Sequence, residues 1–265
     1  MSPLPNLISD SVLVKDTIDL LKANGGNVSA VEIVDSVMKI SKPDPDLAKM
    51  LVTDLIETDP RLALNKGDVE YVGTKPHNLL SESEFVVFDF ETTGAKTPPA
   101  RVTEIGAFKV SNGKIGDSFH SLVNPEMPIP AFITSLTSID DSMVKNAPRF
   151  VEIAKEFMEF VGDSVLVAHN AMFDMRFLNV EIGRIHVNYK VANPYLCTVR
   201  LARKLIPEIE NHKLATIANY YSVSLENHHR ATDDARATAV IFLKLLDLLE
   251  EKGVKDLGAA MKCKF

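Results

Sequence analysis

Phe85 to Phe90 is apolar and aromatic, as a strand buried on both faces should be, yet it carries Asp89, and Glu91 follows directly. Two residues apart on a strand, the two carboxylates point to the same face, about 7 Å apart along the chain. Placing two like charges side by side in a low-dielectric setting is costly unless something positive sits between them. A divalent cation is the simplest answer. For this pair alone, a strand end whose acids face water accounts for the pattern equally well. Thr92-Thr93-Gly94 leans toward a site, because a glycine at a strand end suits a turn where backbone comes close to a ligand.

Two more stretches carry matching acids. Ser164 to Ala168 reads as a short buried strand, followed by His169-Asn170-Ala171-Met172-Phe173-Asp174 and a helical apolar pattern. Later, His228-His229-Arg230-Ala231-Thr232-Asp233-Asp234-Ala235 opens a long helix. Together the three stretches resemble the DEDDh family of 3′-to-5′ exonucleases, which includes the proofreading subunit of bacterial replicative polymerases. That family's motifs are Asp-x-Glu on a first strand, an Asp after a His-Asn turn, and His-x-Ala-x-x-Asp. All three occur here in order, across roughly residues 85–250.

The resemblance implies that Asp89, Glu91, Asp174 and Asp234 hold two Mg²⁺ or Mn²⁺ ions and that His229 is the general base. Hard oxygen ligands suit those ions, and two of them about 3.5–4 Å apart can serve both the attacking and the leaving oxygen of a phosphodiester. An imidazole titrating near pH 6.5 can accept a proton at neutral pH. The sister subtype places a Tyr four residues before the last Asp. Here that position is Arg230, so the His subtype is the better match. The family also implies that Thr92, Thr93 and Gly94 line a pocket for the terminal nucleotide. Thr134-Ser135-Leu136-Thr137 is similar to its Thr-Gly-Ile-Thr loop, with Thr137 beside that nucleotide and Ser135 in place of the glycine. His169 and Asn170 either touch the nucleotide or close the turn. His228 reads as an exposed loop residue, Asp233 as a helix-start cap, and Phe90 and Phe173 as core.

Residues 1–75 read as a separate unit: helices over about 10–23, 27–40 and 46–57, then a hairpin through Asn65-Lys66-Gly67-Asp68. Three helices and a hairpin resemble a winged helix-turn-helix. This stretch has 8 Lys and Arg against 12 Asp and Glu, a net of −4, so a protein-contact or structural role is expected ahead of DNA reading. Residues 76–84 read as a polar linker and 85–265 as the exonuclease domain, with the Pro-rich stretch 123–133 irregular. Strands first as hairpins, then alternating with helices, define an α/β domain with a mixed sheet. The resemblance makes this a ribonuclease H-like mixed sheet flanked by helices.

A net charge of −7 excludes a broad nucleic-acid-coating surface and requires any basic groove to be local. With 2 cysteines, no signal-like N-terminus and no membrane-length apolar run, a cytoplasmic location without membrane association is expected. The expected substrate is a single-stranded 3′ end of DNA or RNA, with a polymerase or other protein as a possible partner through residues 1–75. The rival reading is a non-catalytic binding scaffold, against which four converging acids speak.

Overall fold

The computed structural model describes residues 4, 6–57, 59–72, 79–225 and 228–263, which divide into two compact units. The first contains β1 (Leu7–Ser9), α1 (Val12–Ala23), β2 (Asn27–Ser29), α2 (Ala30–Ser36), α3 (Pro45–Glu57), β3 (Leu62–Asn65) and β4 (Asp68–Tyr71). Ser29 accepts the Glu32 N–H and so starts α2. Lys66 and Gly67, at φ +51° and +96°, make a two-residue turn between β3 and β4. β2 joins that hairpin as a third antiparallel strand, and Val14, Ile18, Leu21, Ile33, Val52 and Val69 close a core of their own.

This unit also takes in residues 182–192, which the sequence reading placed in the larger domain. The cause is a pairing between two three-residue strands, with Leu7, Ile8 and Ser9 opposite Val191, Lys190 and Tyr189. Strands this short leave no periodicity to read.

The second unit begins on a 3₁₀ turn at Leu80–Glu82. Residues 79–84 fell in the expected linker, but Leu80 donates its N–H to Lys255 O and its side chain is buried. Residues 73–78, which include the first three of the expected linker, lie outside the described residues. The chain continues through β5 (Phe85–Thr92), β6 (Val102–Ser111), β7 (Lys114–Leu122), α4 (Ala131–Thr137), α5 (Asp141–Val144), α6 (Phe150–Val161), β8 (Val165–Ala168) and α7 (Ala171–Ile185). After β9 (Tyr189–Val191), the partner of β1, come β10 (Tyr195–Cys197), α8 (Thr198–Leu205), α9 (Leu214–Tyr220), α10 (Ala231–Glu251) and α11 (Leu257–Lys262). Asn112 and Gly113, both at positive φ, turn β6 into β7. The Pro-rich stretch is irregular over 123–130, as expected, and only its last three residues enter α4, for which Pro130 is the N-cap.

The sheet order is β10-β8-β5-β6-β7, antiparallel across β5, β6 and β7 and parallel across β5, β8 and β10. This mixed sheet flanked by helices is a ribonuclease H-like fold. Alternation along β5 decides the rest. Phe85 and Val87 face α10, where Phe85 meets Phe242 edge-on at 4.9 Å. Phe88 and Phe90 face the other way, against Phe157 of α6. Continued two residues at a time, the α10 face receives Asp89 and then Glu91.

Candidate active site

Asp89 and Glu91 pair with Gly106 and Glu104 of β6. The start of α10 lies directly over Gly106: a Cβ there would come 2.4 Å from the backbone of Ala231 and Thr232. That absence of a side chain lets the first turn of α10, with Asp234, settle onto the sheet beside Asp89. Gly106→Ala is therefore expected to cost on the order of 3 kcal/mol, because the atoms in the way are backbone. Thermal unfolding checks this, and an unchanged Tm would mean that α10 does not depend on the close approach.

Carboxylate oxygens of Asp89, Glu91 and Asp234 all lie within 4.8 Å of one another. Asp174 stands differently. β8 pairs with β5 only as far as Val87, and farther along the Phe90 N–H is taken by Asp174 Oδ1 at 3.2 Å. Asp174, on the first turn of α7, thus spends one oxygen on the strand end and adds its charge to Asp89.

The electrostatics are those of an acid cluster in which burial and like charges prevail, with Arg230 opposing them at Glu91. Burial, then Asp174, Glu91, Asp234 and Glu104, hold the Asp89 carboxyl well above its usual range. Glu91 is pushed up to about 8, by burial first and then by Asp234, Glu104 and Asp174. Burial raises Asp174 to about 7, although hydrogen bonds from two backbone N–H groups oppose it. Among the described residues no Lys or Arg hydrogen-bonds to these four acids. An all-oxygen set whose charge is unbalanced fits a hard divalent cation.

The nearest guanidinium is engaged elsewhere. Arg230 donates to both oxygens of the fully buried Glu104, at 2.7 and 3.1 Å. The same carboxylate accepts the Ala231 N–H at 3.0 Å and meets His120 Nε2 at 2.9 Å. Burial alone would raise the Glu104 pKa, but these hydrogen bonds outweigh it and hold the group below its ordinary value. The helix-start cap expected of Asp233 is consequently supplied from the sheet, by Glu104 on the Ala231 N–H, and no side chain within α10 caps it. Sequence reasoning missed Glu104 and Arg230. The available signal was a Glu two residues before a glycine within a strand.

His228 is exposed, as expected of a loop residue, yet its Nδ1 lies 3.1 and 3.2 Å from the two oxygens of Asp234. Its ring stacks on that of His229 with centroids 3.9 Å apart. His229, at φ +68°, donates its N–H to Asp234 Oδ2. The two imidazoles and Asp234 form a second group whose ligand atoms lie within 4.8 Å of one another. Burial, then the neighbouring His228, lowers the His229 pKa, so its ring is neutral at pH 7.

The hydroxyls expected near a nucleotide are used inside the fold. Thr92 Oγ1 donates to Gly94 O, and Thr93 Oγ1 accepts the Arg101 N–H. Thr137 Oγ1 donates to Ile133 O and accepts the Ile139 N–H, closing α4, on which Ser135 also lies. His169 Nδ1 meets Thr198 Oγ1 at 2.9 Å, and burial lowers its pKa to about 4. Asn170, at φ +71°, is exposed and closes the turn into α7. Phe90 is core as expected, whereas Phe173 is only half-buried, against Phe177.

Acids gathered at the end of the central strand, under the first turns of two helices, define a nuclease of the DEDD exonuclease class. The chain belongs to the exonuclease family, whose model matches residues 86–242. It is similar to the PolC-type DNA polymerase III of Caldanaerobacter subterraneus subsp. tengcongensis, 48% identical over 177 residues that cover 67% of this chain and 12% of that protein. The PolC-type DNA polymerase III of Clostridium perfringens is 41% identical over 235 residues, 86% of this chain and 16% of that one. The chain thus spans only about an eighth to a sixth of the length of these relatives. Among solved structures it is similar to exonuclease X in complex with 5′ overhanging duplex DNA, with TM-score 0.52 and 27% identity over 64% of this chain and 93% of that one. Exonucleases of this kind depend on divalent metal. No helix among the described residues is long and apolar enough to cross a membrane.

Proposed function

We propose that this chain is a 3′-to-5′ exonuclease that releases 5′-mononucleotides from single-stranded DNA ends, with Asp89, Glu91, Asp174 and Asp234 holding two Mg²⁺ or Mn²⁺ ions. The observation that carries this reading is the convergence of Asp89, Glu91 and Asp234 oxygens within 4.8 Å, with His229 at the same helix start. Bound divalent cations supply Lewis acidity toward the phosphate and its attacking water. His229, neutral at pH 7, accepts the proton of that water through its imidazole. His228, bonded to Asp234 and stacked on His229, orients that ring. Arg230 and Glu104 hold the turn that carries both histidines.

DNA is favoured over RNA by the similarity to PolC-type polymerases and to exonuclease X. The polymerase relatives also favour a proofreading role, with residues 1–75 read as a winged helix-turn-helix-like, protein-contacting module. The test is incubation with end-labelled linear and circular single strands, with Mg²⁺, Mn²⁺ or chelator. The expected result is mononucleotide release from the linear strand only, and only with metal. Product from the circle, or full activity in excess chelator, would overturn the reading.

A further inference from the structure

α8 presents two faces. Thr198, Leu201, Ala202 and Leu205 are buried, while Arg200, Arg203 and Lys204 stand exposed on the other side. Lys262, in the last turn of α11, joins them around a shallow depression of about 390 Å³ whose fifth lining residue is Cys263. Among the described residues none of these four cations makes an ion pair or a side-chain hydrogen bond. Like charges three and four apart on a helix cost a few tenths of a kcal/mol each, and among the described residues no carboxylate lines the depression to offset that. In a protein of net charge −7, four unpaired cations around one hollow make a local electropositive patch suited to an anion from outside.

The position of α8 identifies the anion. Its first residue, Thr198, is bonded to His169, which follows β8 just ahead of the helix carrying Asp174. Arg200 to Lys204 lie about 3–9 Å along the helix axis from Thr198. The cations therefore begin within two helical turns of the residues that border the acid cluster. We propose that Arg200, Arg203, Lys204 and Lys262 bind the phosphodiester backbone of a single strand upstream of its 3′ end. This rests on the reading that the 3′ end sits at Asp89 and Asp234. The acidic site then repels the polyanion less than its charge implies, because the strand is held by a local basic track.

The test compares the full chain with the R200A/R203A/K204A variant. Affinity for a labelled single strand of about 20 nucleotides is measured by fluorescence anisotropy in chelator, from about 50 to 200 mM salt. Each phosphate contact on a single strand contributes about 0.7 to the slope of log K against log salt, so the variant's slope should flatten by about 2. Its affinity should fall about 10- to 100-fold near 0.1 M salt. Hydrolysis of the 4-nitrophenyl ester of thymidine 5′-monophosphate, which has no upstream phosphate, should be unchanged. Equal affinity and slope in the two proteins would overturn the proposal, as would an equal loss on the ester. If the unmodified chain hydrolyses neither strand nor ester, the exonuclease reading fails, while the two salt slopes still decide the track.

Discussion

Asp89→Asn is expected to abolish hydrolysis, by at least about 10³-fold, while raising the melting temperature in chelator. The loss follows because a carboxylate that organises the cations supplies several kcal/mol of charge stabilisation at the transition state. The gain follows from the acid cluster. Asp89, Glu91 and Asp174 all titrate above their ordinary values in the folded chain, with Glu91 near 8 and Asp174 near 7. For a carboxyl raised on folding, the unfolded chain gives up its proton first. The resulting destabilisation is absent below the unfolded pKa, near 4, and grows until the folded pKa is passed. Metal-free stability should therefore fall as pH rises from about 5 to 8, and added Mg²⁺ should restore most at the alkaline end. Asn at position 89 removes one buried charge and flattens that fall. Thermal unfolding of both proteins across this range, with and without metal, checks each part. A lower Tm for the variant in chelator would mean that Asp89 holds the fold together rather than straining it.

His229→Ala is expected to lower turnover about 10²- to 10⁴-fold while leaving metal affinity nearly intact, since the imidazole accepts a proton and is not required as a ligand. Calorimetric titration with Mg²⁺ or Mn²⁺ beside single-turnover kinetics separates the two effects. The sign of the His229 shift adds a pH signature. Burial and His228 lower its pKa, so the imidazole stays neutral to more acidic pH than an ordinary histidine. With saturating metal, the acid limb of turnover should then lie below about pH 6.5. Wild-type turnover across pH 6 to 9 would show that His229 is not the base.

The two readings of residues 182–192 bear on how the chain can be divided. The polar, Pro-containing stretch at 76–84 suggested a cut there. In the structure Tyr189–Val191 pairs with Leu7–Ser9, so a chain starting at Pro76 loses the partner of that strand. Two three-residue strands far apart in sequence carry no local pattern. Their pairing is a property of the folded unit.

Periodicity and motif spacing in the sequence were enough to place the α/β class, the order of the main strands and helices, and the stretches that carry the acids. These are local signals: the apolar run over 85–90, the Asn-Gly turn at 112–113, and the helical repeat from 232. The same local logic put Asp89 and Glu91 on one face, because side-chain direction along a strand repeats every two residues. What surrounds them was decided by tertiary structure. That Glu104 caps α10 and holds Arg230, that Gly106 admits the helix, and that His228 rather than His229 directs its ring nitrogen at Asp234 all depend on residues 6 to 127 positions apart. The hydroxyls of Thr92, Thr93 and Thr137 had polar partners available in their own loops, and no motif spacing could reveal that those partners were taken. Local pattern assigns a residue its face and its element. The hydrogen bonds it makes are settled only when the chain brings distant donors and acceptors to the same place.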